Sequence, residues 1–287
     1  MKRFTGLLIW FLALTLLAAT PAMAGAPFTN IEGVGGAALN PFAYIANPVT
    51  KGDTCLMGNK AVSRPQIGIW NVGLTESKID WWSAGINDSF FNRVELGYSH
   101  EFVDVQGLQN IAKDNLSMKV NLIKESDFGI DLMPAVSAGL IWKHTDFDAI
   151  KLRNSSDADY YLVATKMFNG CKLPIILNAG LLSTKGYVRG VLGFGNHRDN
   201  IFFGNIDTVL LGKFITGVEY EQNAHVGKVF EGDNSTYSTN SLWEAHVAYM
   251  YDNHLTLVAS YANTGDKNST SQTGFGGAYV LSMQYAF

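Results

Sequence analysis

The sequence predicts an antiparallel transmembrane β-barrel of about twelve strands, with ten or fourteen as alternatives. Three observations carry this expectation: a secretory leader, no later segment apolar enough for a spanning helix, and a last strand that alternates up to an aromatic end. In the leader, Lys2 and Arg3 precede the apolar run 7–19, and Ala22-Met23-Ala24 supplies a small-residue cleavage site. Residues 1–24 are therefore expected to be a signal peptide that is removed on export. No later run approaches the roughly 20 apolar residues of a membrane helix. A chain of this kind crosses a bilayer only as a closed barrel, because lipid leaves no other way to satisfy backbone polar groups.

Elements are read backwards from the C-terminus. In 275–287 the odd positions carry Phe275, Tyr279, Leu281, Met283, Tyr285 and Phe287, while the even positions are small or polar. One face suits lipid and the other an interior. The terminal aromatics Tyr285 and Phe287 resemble the C-terminal signal read by bacterial barrel-assembly machinery. Further strands are expected at 254–263, 241–251, 213–221, 201–210, 174–190, 158–168, 130–143, 116–124, 90–102, 78–86 and 67–74. Val94, Leu96, Tyr98 and Phe102 share one face, opposite Arg93, Glu95 and Glu101. Trp243, Val247 and Tyr249 likewise oppose Glu244 and His246.

Connections alternate in length. The expected short set is 87–88, 125–127, 169–171, 211–212 and 252–253; the polar, mostly longer set is 103–115, 144–157, 191–200, 222–240 and 264–274, with 75–77 breaking the pattern. Short periplasmic turns and long extracellular loops are what outer-membrane barrels show.

Composition agrees with this reading and narrows the function. Aromatic residues make up 12% and charged residues 16%, with 29 glycines, which suits many aromatic-belted strands better than a helical enzyme. Loss of Lys2 and Arg3 takes the formal charge from -4 to about -6, which gives no reason to expect nucleic acid as a partner. Expected partners are outer-membrane lipid, the assembly machinery, and an unknown periplasmic or extracellular protein.

Residues 25–66 do not alternate and read as irregular backbone, rich in glycine and proline. Such a segment lies either in the periplasm or inside the lumen. Gly35, Gly36, Pro41, Phe42 and Tyr44 are the candidates for a plug; a loosely ordered leader to the first strand is the alternative. Cys55 and Cys171 would meet an oxidising compartment, either as a disulfide tying this segment to the rim or as two free thiols.

Charged side chains facing lipid are expensive, so the lumen is expected to receive Arg93, Glu95, Glu101, Lys119, Asp131 and Lys143 from the first half. The second half adds Lys166, Glu219, Glu221, Glu244 and His246. These line an aqueous channel or close it with ion pairs. No nucleophile is placed beside His246 by the sequence, no Gly-x-Ser-x-Gly occurs, and no His/Cys/carboxylate group has metal-site spacing. An enzyme, a cofactor and a metal centre are not expected. A channel or transporter for small polar solutes is the leading reading, and a structural or interaction barrel the second.

The motif Gly35-Gly36-Ala37-Ala38-Leu39-Asn40-Pro41-Phe42-Ala43 resembles the start of a bacterial barrel family known as domain of unknown function 3034. Arg93-Val94-Glu95-Leu96, Val163-Ala164-Thr165-Lys166-Met167-Phe168, Leu192-Gly193-Phe194-Gly195 and Gly217-Val218-Glu219-Tyr220 are similar to its later motifs, with Phe42 where Trp is expected. The resemblance implies an outer-membrane barrel and brings no catalytic residue or substrate.

Overall fold

A computed structural model describes residues 28–48, 61–108, 110–170 and 172–287. The expected signal peptide, Cys55 and Cys171 lie outside the described residues. Twelve antiparallel strands form one closed barrel. They are β1 Gln66–Leu74, β2 Ile79–Phe90, β3 Val94–Val105, β4 Ile111–Ile123, β5 Ala135–Asp146 and β6 Ser156–Phe168, followed by β7 Ile175–Gly186, β8 Phe194–Leu210, β9 Phe214–Glu221, β10 Leu242–Met250, β11 Leu255–Asn263 and β12 Gly277–Ala286. Each pairs with its neighbour in sequence, and β12 closes on β1 from Tyr279↔Gly73 to Ala286↔Gln66. Closure leaves no open edge, which is the condition for a sheet to sit in lipid.

Side-chain alternation sorts the residues. Leu96, Tyr98, Phe102, Leu116, Trp142 and Trp243 are exposed on the outside, with Tyr285 and Phe287 among them. Inward positions are buried and divide into two zones. Toward one end Trp70, Val72, Leu74, Trp81, Val103, Ile111 and Val280 form an apolar cluster. Deeper in the lumen the wall is polar, with Ser99, Glu101, Asn115, Lys119 and Asn178 all buried.

Strand order and parity follow the sequence, while several boundaries do not. β4 starts at Ile111 rather than near 116, because Lys113 and Asn115 face inward to Glu101 at 2.9 and 2.6 Å while Asp114 faces outward to Tyr98 and His100. Asn87 and Asp88 belong to β2 instead of a turn, which falls at 91–93, where Phe91 and Asn92 have positive φ. The expected loop 191–200 is mostly strand: β8 extends beyond the wall, where Asn196 bonds Lys228. β5 begins at Ala135, not near 130. Connections 91–93, 211–213 and 251–254 are short, and 222–241 and 264–276 at the opposite end are long; the 124–134 connection is longer than its expected partners.

Candidate functional site

Residues 28–48 run through the ring of strands, and the wall satisfies their backbone. Irregular chain at this depth must find its hydrogen bonds within the protein. Glu95 accepts from the Gly35 and Ala46 amides at 2.7 and 2.6 Å and pairs with Lys119 at 2.9 Å. Lys119 in turn donates to the Gly35 carbonyl at 2.8 Å. Glu219 accepts from the consecutive amides of Ala38, Leu39 and Asn40, at 2.6, 3.2 and 2.8 Å. The Ala43 carbonyl receives Ser137 at 2.5 Å, and its amide donates to Thr165 at 2.7 Å. Asn178 donates to the Pro41 carbonyl at 3.0 Å. Small side chains at 33–38 let the backbone itself meet the wall: a Cβ at Gly97 would lie 2.0 Å from the Gly33 carbonyl.

Glu32 is the hub of the charges. It meets Lys113 at 3.3 Å, Lys143 at 2.5 Å and Arg189 at 2.7 Å. Each cation has a second carboxylate: Glu101 for Lys113, Asp159 for Lys143 and Glu221 for Arg189. Burial alone would raise the Glu32 carboxyl, but Arg189, Lys143 and Lys113 together hold it well below the usual carboxylate range. Arg189 reaches the hub from the 187–193 connection, which bends inward and receives Thr145 on the Gly190 carbonyl at 2.6 Å.

At the end with the short turns, Tyr44 donates to Glu125 at 2.6 Å, and Glu125 pairs with Lys166 at 2.9 Å. Burial, and then the Glu125 carboxylate, push the Tyr44 phenol above its ordinary range. Gly36, Phe42 and Tyr44 line a cavity of about 410 Å³ there, together with Glu125, Asp207 and His246. A second cavity of about 300 Å³ lies on the apolar side, between Ile31, Leu39, Trp70, Trp81, Phe147 and Val191, with Lys143, Arg189 and Glu221 also on its wall.

A third group sits on β8–β10. Register places Glu219 opposite Glu244, and Gly217 between Asp207 and His246. His246 bonds Glu244 through Nδ1 at 2.9 Å, and its Nε2 lies 2.9 Å from Asp207 in a poorly directed contact. Gly217 makes room for this, because a Cβ there would lie 2.1 Å from Asp207 Oδ1.

Glu95, Glu101, Lys119, Lys143, Glu219, Glu221, Glu244 and His246 are thus buried inside the barrel. Three residues expected with them are elsewhere. Arg93 precedes β3 in the 91–93 turn, donating to the Asn121 carbonyl at 3.2 Å. Asp131 is exposed in the 124–134 connection, ahead of a strand that begins later than expected. Lys166 sits at the rim on Glu125 instead of deep in the lumen. The hub residues Glu32, Lys113, Asp159 and Arg189 were not singled out from sequence. Lys113 could have been, since it shares parity with Lys119; Glu32 lies in an irregular segment where parity says nothing, and Arg189, expected in the strand 174–190, falls beyond a strand that ends at Gly186. The lumen serines Ser137 and Ser282 donate to backbone carbonyls, not to His246.

A closed barrel with an apolar outer face and a charged, filled lumen defines the class of bacterial outer-membrane barrel proteins. The chain matches the family described as protein of unknown function (DUF3034) over residues 25–284, and it belongs to that family. No curated protein sequence matches it. Among solved structures it is similar to the KdgM porin, with TM-score 0.50 and 12% identity over 77% of this chain and 99% of that one. Acinetobacter baumannii Omp33 gives 0.46 and 10%, over 80% and 100% of the two chains. Escherichia coli outer membrane phospholipase A gives 0.41 and 11%, over 84% and 96%. At 12% identity the likeness to the KdgM porin speaks to the fold alone.

Proposed function

We propose that the protein is an outer-membrane channel whose lumen is closed by residues 28–48 and opens when they are displaced. The observation that carries this is the wall behind them. Buried ion pairs add little stability compared with apolar side chains of similar volume, so a barrel meant only to be filled has no need of them. Here Glu95, Glu101, Lys113, Lys119 and Asn115 line the path, and residues 28–48 meet the wall through hydrogen bonds and ion pairs beside the apolar packing of Phe28, Ile31, Val34 and Ala38. The polar contacts exchange readily for water, and the exposed wall would then suit small polar solutes. The apolar cavity at the mouth favours solutes that also carry an apolar portion.

In this reading the signal peptide directs export, the short turns face the periplasm and the 222–241 loop faces outward. An epitope inserted at Asn234 would then be labelled on intact cells, and one at Asn253 would not; the reverse result inverts the orientation. Planar-bilayer conductance tests the channel. The full chain is expected to be mostly closed, and a variant lacking residues 28–48 to conduct steadily. Silence from a folded, heat-modifiable deletion variant would instead favour a structural barrel.

A further inference from the structure

We infer that the inner faces of β9 and β10 hold a site for one divalent transition-metal ion of intermediate hardness, of the zinc type, with Glu219, Glu244 and His246 as ligands. One atom from each lies within 4.8 Å of the others, and all three residues are buried. Ligand atoms on a zinc ion at about 2.0–2.2 Å sit roughly 3–4 Å apart, so a contraction of about an ångström completes the set. An imidazole with two carboxylates suits zinc and its neighbours better than calcium, which prefers an all-oxygen shell.

A second observation points to a ligand rather than to a self-contained acid cluster. Glu244 is fully buried, yet its Oε1 has no hydrogen-bond partner, and Asp207 Oδ2 lacks one as well. The lumen cations are engaged elsewhere: Lys113, Lys119, Lys143 and Arg189 pair with Glu101, Glu95, Asp159 and Glu221, and three of them with Glu32. Among the described residues no lysine or arginine forms an ion pair with Asp207, Glu219 or Glu244. A protonated His246 is the one cation that the described residues set against these three carboxylates, and a divalent ion beside a neutral imidazole supplies one charge more.

The surroundings also fit. Metal-bound histidines commonly give their other nitrogen to a carboxylate, and ligating carboxylates are themselves hydrogen-bonded. With Nδ1 turned to Glu244, Nε2 faces Asp207 at 2.9 Å. Glu219 is held by the amides of residues 38–40. An ion can approach through the cavity of about 410 Å³ that His246 and Asp207 help to line.

The test uses full-length protein, stripped with chelator in detergent and titrated with zinc chloride by calorimetry. One saturable site per chain is expected. Glu244→Gln should abolish it, and Asp207→Asn, which keeps the three ligands, should weaken it about 10–100-fold. His225→Gln should leave it unchanged; that ring belongs to an exposed loop pair with His197, centroids 5.6 Å apart, which is the obvious adventitious binder. The inference is overturned if the wild type shows no saturable site, if binding survives Glu244→Gln, or if it disappears with His225→Gln. Should Glu244→Gln fail to form a heat-modifiable barrel, cobalt(II) loaded into the wild type decides. A mixed nitrogen–oxygen ligand-field spectrum supports the site, and the spectrum of the aqueous ion refutes it.

Discussion

The two zones of the lumen are filled in opposite ways. Toward the long loops Trp70, Val72, Leu74, Trp81, Val103 and Ile111 pack against one another and against Phe28, Ile31 and Ala38 of the 28–48 segment. In the polar zone the strands present carboxylates, amines and amides that residues 28–48 and the 187–193 connection complete. An apolar zone is stable by exclusion of water. A polar zone is costly to bury unless its groups are largely partnered, and here residues 28–48 supply many of those partners. On the proposed reading the difference teaches that apolar packing fixes the mouth, whereas the deeper lumen accepts either protein or water.

The largest effect is expected at the hub. Glu32→Ala leaves three buried cations with one carboxylate each in place of a shared second one. It should weaken docking of residues 28–48 by about 3 kcal/mol, roughly a hundredfold in equilibrium, the low end for a broken buried pair because the partners keep some compensation. Protease access to the segment reads this, with the strands remaining heat-modifiable. Unchanged access would mean that the polar zone is held by packing, as the mouth is.

Next is Gly97→Val, which puts side chain where the Gly33 carbonyl passes. Overpacking of this kind costs about 1–3 kcal/mol, and it should displace the segment without opening the barrel. Equal protease access in the variant and the wild type would remove the close approach from the account.

Acid gives a third handle. Glu32 titrates well below its ordinary value when docked, so its contribution is complete above the free carboxylate range and is lost as pH falls through the depressed docked value. The Glu32 contribution should therefore begin to fall only as pH drops through the ordinary carboxylate value near 4.5, and be lost below it. Bilayer conductance against pH checks the sign; opening on alkalinisation from neutral pH would contradict it.

The smallest effect belongs to the border between the zones. Trp70 donates from Nε1 to the Thr29 carbonyl at 2.7 Å, and Gln284 also reaches that carbonyl at 3.2 Å. Trp70→Phe should weaken the segment by only about 1 kcal/mol, because one donor remains. A loss as large as that of Glu32→Ala would show that this border holds the segment as strongly as the charged hub does.

The sequence made the barrel legible because alternation survives wherever one face meets lipid, as in Leu96–Phe102 against Glu95–Glu101. It failed where both faces are polar, as at Lys113–Asn115, and where a strand breaks register with its neighbour, as between Phe194 and Asp199. Eight charged or titratable lumen residues could be read from parity, but their partners could not. Glu32 comes from a segment without period, Arg189 lies past the true end of its expected strand, and the meeting of Glu219 with Glu244 depends on the register across the long 222–241 connection. For the same reason no metal-type spacing is visible along the chain.

The central claim, that water can replace residues 28–48, is tested most directly at Ser99, which is fully buried on the polar wall. With Cys55 and Cys171 changed to serine, Ser99→Cys is treated with a membrane-impermeant thiol reagent in the full chain and in a variant lacking residues 28–48. The account predicts no labelling in the first and rapid labelling in the second. A folded deletion barrel that stays unlabelled, or equal labelling in both, would contradict it.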